Sequence, residues 1–223
     1  MKTLFKQNTV FISLSLILLV VLGLALLYIP QGELHLLLCD HHTHARDIFY
    51  RYYTRIAEWF PYAVCIGLLL FSRIGNGVFA SAAMLLSSLT TQLLKHILNA
   101  PRPVTWFATN MPDVQLPLVE GVKMNYWYSF PSGHTTSFFA LALVVSIVAS
   151  HRWPKMASYI QILLFVLAML GGYSRIYLSQ HFAGDVFAGI LVGILITAGC
   201  YAIFHRFEER KWYNYRLFQK NEG

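Results

Sequence analysis

Apolar residues along this chain gather into six runs, roughly Val10–Ile29, Ile56–Phe71, Val78–Leu94, Pro131–Ser150, Met156–Gly172 and Val186–Phe204. A helix rises about 1.5 Å per residue, so about 20 apolar residues cross a bilayer core. Backbone inside hydrocarbon must satisfy its own hydrogen bonds, which helices do. The pattern predicts an all-α integral membrane bundle of six transmembrane helices, with residues 1–223 as one domain. The basic head MKTLFKQNT precedes the first run, and no small-x-small cleavage site follows it, so an uncleaved span is expected there and not a signal peptide.

Between the runs, two segments stand out. From about 47 to 60, Ile48, Phe49, Tyr52, Tyr53, Ile56, Trp59 and Phe60 share one helical stripe, and Asp47, Arg51, Thr54, Arg55 and Glu58 share the other. This predicts an amphipathic interfacial helix that runs into the second span, with Pro61 as a kink. From about 95 to 129 there is no apolar run and there are prolines at 101, 103, 112 and 117, which predicts one long external loop.

Composition narrows the class. Apolar residues make up 57% and charged residues 12%, which excludes an ordinary soluble domain. The net charge of +7 comes from Lys and Arg that flank spans and form no nucleic-acid motif, so anionic lipid is the expected partner. Cys39, Cys65 and Cys200 are widely spaced and suggest neither a disulfide framework nor a metal motif. Cys39, Asp40, His41, His42 and His44 are clustered without helical spacing and read as a solvated or headgroup-facing loop in preference to a metal site. Six spans put both termini on one side. That side carries ten Lys and Arg against seven on the other, which makes both termini cytoplasmic.

On this topology three distant polar sets reach the external face: Lys95 and Arg102; Pro131-Ser132-Gly133-His134; and Ser174, Arg175, His181 and Asp185. Ionisable groups at a membrane boundary are costly unless paired or used, so their convergence argues for an anionic ligand. Lys95 and Arg175 taken singly can instead snorkel to headgroups. If the stretch from Tyr173 to Asp185 is helical, Asp185 lies one turn from His181, where it can fix the imidazole tautomer and leave the other nitrogen to attack an electrophile, or simply form a stabilising pair. The Pro-Ser-Gly-His segment opens a helix whose free N–H groups make an anion seat, or no more than a well-capped start. His134, in that first turn, is placed to act as a general acid.

These residues resemble the three-part signature of the type 2 phosphatidic acid phosphatase superfamily of membrane lipid phosphatases: Lys95 with Arg102-Pro103, then Pro131-Ser132-Gly133-His134, then Ser174-Arg175, His181 and Asp185. The resemblance implies a PAP2/haloperoxidase-like helical core. It implies that His181 forms a phosphohistidine, Asp185 orients it, and His134 protonates the leaving group and then activates water. Lys95, Arg102, Ser132, Gly133 and Arg175 would hold the phosphoryl oxygens, with no metal and no cofactor. It further implies a bacterial inner membrane enzyme with a periplasmic site acting on a lipid phosphate. Lipid A phosphate is the favoured substrate, ahead of undecaprenyl diphosphate, phosphatidylglycerol phosphate and phosphatidic acid. The rival readings are a lipid phosphotransferase and a transporter. The 47–60 helix and the loop aromatics Trp106, Phe107, Tyr126, Trp127, Tyr128 and Phe130 either border a lateral lipid portal or anchor the protein.

Overall fold

The computed structural model describes residues 2–40 and 42–216. His41, the tail beyond residue 216 and the side chains of Trp59 and Phe60 lie outside the described residues. In chain order the helices are α1 (Lys2–Gln7), α2 (Thr9–Tyr28), α3 (Gln31–Cys39), α4 (His44–Tyr53), α5 (Trp59–Ser72), α6 (Ile74–Leu98), α7 (Pro103–Asn110), α8 (Gly133–Arg152), α9 (Ala157–Tyr177), α10 (Ala183–Phe204) and α11 (Lys211–Asn214). No strand occurs among the described residues. Helices α2, α6, α8, α9 and α10 are each long and apolar enough to cross a membrane, and α4 with α5 forms a sixth span if the bent pair counts as one. The chain is a multi-pass membrane protein.

Helix α8 forms the centre and packs against α6, α9 and α10. Its inner face buries Phe139, Leu143, Val144 and Ile147 in the main apolar cluster. The approach of α10 depends on two glycines. A Cβ at Gly189 would lie 2.8 Å from the Ser132 carbonyl oxygen, and one at Gly193 would lie 2.6 Å from that of Thr136. Small residues allow this backbone contact between helices. It brings the start of α10 onto the start of α8, where the Ser132 N–H donates to the Asp185 main-chain oxygen at 2.9 Å.

Three expectations are corrected. The 47–60 helix is broken: α4 ends at Tyr53, a 3₁₀ turn covers Thr54–Ala57, and Glu58 is extended before α5. The second apolar run is therefore the 14-residue α5, which counts as a span only with the segment before it, bent from it by 47°. Along α4 and the turn the apolar stripe points outward, with Ile48, Phe49, Tyr52 and Ile56 exposed, while Arg51 is half-buried and Thr54 buried. The 95–129 segment is not all loop. Lys95 remains in α6, which ends at Asn99 in the left-handed conformation that Asn tolerates, and α7 begins at Pro103, whose missing N–H costs nothing in a first turn.

Candidate active site

The segment 100–102 lies against 126–129: Ser129 N–H donates to Ala100 O and Arg102 N–H to Tyr126 O, both at 2.9 Å. The cations then clamp this loop. Lys95 Nζ donates to the carbonyls of Tyr128 and Ser129. Arg102 Nε donates to Trp127 O at 3.0 Å, and its Nη1 to Gln180 Oε1 at 2.9 Å and Gln180 O at 3.2 Å. Tyr128 has φ +60° and Ser179 has φ +49°. Non-glycine residues in that region carry backbone strain, and here both border the cluster.

The stretch carrying Ser174 to Asp185 is not one helix. Helix α9 ends at Tyr177, a turn spans 178–182, and α10 opens at Ala183. The turn folds back on α9 through Gln180 N–H and His181 N–H, both donating to Arg175 O. His181 and Asp185 still meet, with His181 Nδ1 3.2 Å from Asp185 Oδ2. The same carboxylate oxygen accepts the Phe182 N–H at 2.9 Å, so Asp185 caps α10 while it holds the imidazole. Ser129 Oγ donates to Asp185 Oδ2 at 2.5 Å and lies 3.4 Å from His181 Nδ1. Among the described residues none bonds His181 Nε2. His181 is 2% exposed. Burial, followed by the charges of Arg102, Lys95 and Arg175, pushes its pKa well below the ordinary imidazole value, so it is neutral with a free lone pair.

At the start of α8, Ser132 Oγ accepts from Thr135 N at 3.4 Å and from Thr135 Oγ1 at 2.9 Å, which leaves the Ser132 hydroxyl proton unassigned. A Cβ at Gly133 would stand 3.9 Å from Lys95 Cε, so the start of α8 lies beside the Lys95 side chain. His134, in the first turn, is within electrostatic reach of Arg175, His181, Arg102 and Lys95. Arg175 is buried; its Nη1 donates to Thr54 Oγ1 at 2.6 Å, and its Nε has no partner. All eight residues expected at the site, His181, His134, Asp185, Lys95, Arg102, Ser132, Gly133 and Arg175, thus lie at one end of α8, α9 and α10. The arrangement presents two imidazoles, three cations and a helix N-terminus, a set whose charge suits an anion.

Four participants were not anticipated. Ser129 and Gln180 each sit close to a motif, two residues before Pro131 and one before His181, but only the fold shows what they touch. Thr54 is 121 residues from Arg175. His35 of α3 is buried between Phe107 and Phe182, with its Nε2 3.3 Å from Ser179 Oγ, so it supports the 178–182 turn from behind. Burial takes the His35 pKa down to about 4 against the smaller raising effect of Asp185. Among the described residues no three His, Cys, Asp or Glu side chains group as metal ligands. Cys39 bonds Ile176 O, and His42 pairs with Asp47. Phe107 is buried, so it does not share the headgroup exposure of Tyr126, Trp127 and Tyr128.

Residues 76–209 match the PAP2 superfamily. The chain belongs to this superfamily. The matched span contains all three PAP2 motifs and leaves out the whole of α1 to α5. Among curated relatives, the chain is 28% identical to a lipid A 4'-phosphatase of Porphyromonas gingivalis, over 69% of this chain and 64% of that protein. It is 38% identical to a lipid A 1-phosphatase of the same organism, over 43% of this chain and 21% of that one. The chain thus spans less than two thirds of either relative. The crystal structure of Aquifex aeolicus LpxE superposes with a TM-score of 0.63 at 29% identity, over 76% of this chain and 93% of that chain. A PAP2-type phosphatidylglycerolphosphate phosphatase from Bacillus subtilis superposes with a TM-score of 0.61 at 20% identity, over 92% of this chain and 99% of that one, a likeness of fold alone.

Proposed function

We propose that this PAP2 protein is a metal-independent membrane lipid phosphatase acting through a phosphohistidine. The observation that carries the reading is His181 held through Nδ1 by Asp185, with Nε2 unbonded among Lys95, Arg102, Arg175 and the α8 N-terminus. In the first step His181 Nε2 bonds to phosphorus as the phosphorus–ester oxygen bond breaks, and His134 supplies the proton to the departing oxygen. In the second, His134 removes a proton from water, the water oxygen bonds to phosphorus, and the nitrogen–phosphorus bond breaks to release phosphate. The three guanidinium and ammonium groups stabilise charge on the phosphoryl oxygens, the task a divalent cation performs in other phosphoryl-transfer enzymes. Asp185 and Ser129 keep the imidazole in the Nδ1–H tautomer.

Lipid A phosphate is the favoured substrate, supported by the two Porphyromonas gingivalis relatives, with phosphatidylglycerol phosphate and undecaprenyl diphosphate the next candidates. The excess of Lys and Arg at the opposite end supports a periplasm-facing site in a bacterial inner membrane with both termini cytoplasmic. Phosphate release from a panel of purified lipids in EDTA, for wild type and His181→Ala, tests the proposal. We expect wild type to be active on at least one lipid, inhibited by vanadate and indifferent to EDTA, and His181→Ala to be inactive. Loss on chelation that Mg²⁺ restores would refute the metal-free mechanism.

A further inference from the structure

Thr54 lies in the 3₁₀ turn between α4 and α5, outside the residues that match the superfamily. It is 9% exposed, and its hydroxyl oxygen accepts from Arg175 Nη1 at 2.6 Å. Lys95 and Arg102 are each held by two or more carbonyl oxygens from the loop before Pro131 and from Gln180. Arg175 has no such support: its Nε is buried without a partner, and Thr54 makes its one described side-chain bond. The direction of this guanidinium thus depends on a single acceptor from a different part of the chain.

The acceptor is itself well fixed. The neighbouring Tyr53 donates from its hydroxyl to Leu167 O of α9 at 2.7 Å and stacks on Phe138 of α8, with centroids 5.7 Å apart and planes at 4°. Tyr53 therefore braces the turn against the two helices that carry Arg175 and His134. The chemistry of the acceptor also matters. A hydroxyl is neutral, so it orients Arg175 and leaves the full positive charge for a ligand; a carboxylate at this position would cancel it.

We propose that Thr54 is a positioning residue that aims Arg175 at the phosphoryl group, making the turn between α4 and α5 part of the anion site. This rests on the phosphatase reading above. The test uses the purified full chain in detergent, with orthovanadate as the probe and kcat and KM measured on a lipid phosphate. Thr54→Val removes the acceptor at nearly constant shape, and Thr54→Ser keeps it. Because hydrogen bonds to charged groups are the stronger class, Thr54→Val should weaken vanadate inhibition and raise KM by roughly tenfold, with a smaller change in kcat. Thr54→Ser should restore vanadate inhibition to within about twofold of wild type on the same scale. A purely structural role would lower the yield of folded protein without moving the vanadate constant of what remains. Wild-type vanadate inhibition in Thr54→Val beside an inactive His181→Ala would overturn the inference and leave the phosphatase reading standing. An active His181→Ala would overturn both.

Discussion

The two ends of helix α8 both bury polar side chains, and they do so in opposite ways. At the far end, Gln161 Oε1 accepts the N–H groups of Val10 and Phe11, and its Nε2 donates to Gln7 O and Ser150 Oγ, so every valence of the amide is used. Asn8 adds bonds from Ser146 and Ser150, and no member carries a charge. Gln161 thereby serves the unbonded N-terminus of α2, which has no side-chain cap of its own. The candidate site, some 27 Å away at helical rise, gathers Lys95, Arg102 and Arg175 around one carboxylate, holds His181 through Nδ1 and leaves Arg175 Nε without a partner. A neutral, saturated network stabilises a fold; a cationic, unsaturated one is stabilised by what binds it.

Mutation should separate the two ends, and the largest effect is expected at the site. His181→Ala should abolish phosphate release, and Arg102→Ala should reduce it by on the order of 10² to 10³, by analogy with a lost oxyanion donor. Arg102→Ala also unpairs the oxygens of Trp127 and Gln180, so turnover is compared per folded molecule. Near-wild-type turnover in Arg102→Ala would separate the loop from the chemistry. His134→Ala should harm a lipid phosphate more than p-nitrophenyl phosphate, whose leaving group needs no proton; equal losses would make His134 a binding residue.

The far end should respond in stability alone. Gln161→Leu leaves the part-buried Val10 N–H and the buried Phe11 N–H unpaired, at a cost of about 1–3 kcal/mol, and should lower the thermal midpoint while turnover per folded molecule stays at wild type. A fall in kcat there would mean that the ends are coupled.

Acid pH should act on the site. The pKa of His181 is well below 6.5 in the folded protein and returns to about that value on unfolding. The folded state therefore binds fewer protons in that window, so stability rises with pH towards 6.5 and is lost as pH falls below it. His35 follows the same sign between 6.5 and about 4. The acid limb of kcat/KM assigned to the nucleophile should accordingly lie below pH 6.5; a limb at or above it would show that the imidazole is not held neutral. The smallest effects are expected at the rim. Under the portal reading, Trp127→Ala or Arg51→Ala should raise KM for a long-chain lipid phosphate and leave a soluble ester unchanged, whereas equal change on both substrates would return these residues to anchoring.

Much of this arrangement was legible in the sequence because it is written in local patterns. The apolar runs marked most of the spans, and the three motifs marked eight residues that the fold gathers at one end of the bundle. What escaped depends on contacts between distant segments. The pairing of His181 with Asp185 was expected from helical spacing, yet it arises from a turn and a helix cap, a geometry that shares the four-residue separation. Ser129 and Gln180 looked like ordinary polar residues until the loop folded over α9 and α10. The break after Ala57 left no mark, since the stripe reads through it without interruption. Pro103 did announce the start of α7, but its signal was absorbed into a loop rich in prolines.

The shortness of α5 has a mechanical consequence for the surrounding lipid. Fourteen residues rise about 21 Å, against a hydrocarbon core of about 30 Å, while the neighbouring α6 has 25 residues. Along that flank either the bilayer is compressed or Arg55, Glu58 and Arg73, all exposed at the helix ends, reach outward to meet it, at a fraction of a kcal/mol per ångström. Both responses draw headgroups inward beside the turn that holds Thr54. Bilayer thickness thereby sets the elastic work at this flank: thicker membranes raise it, and thinner ones relieve it.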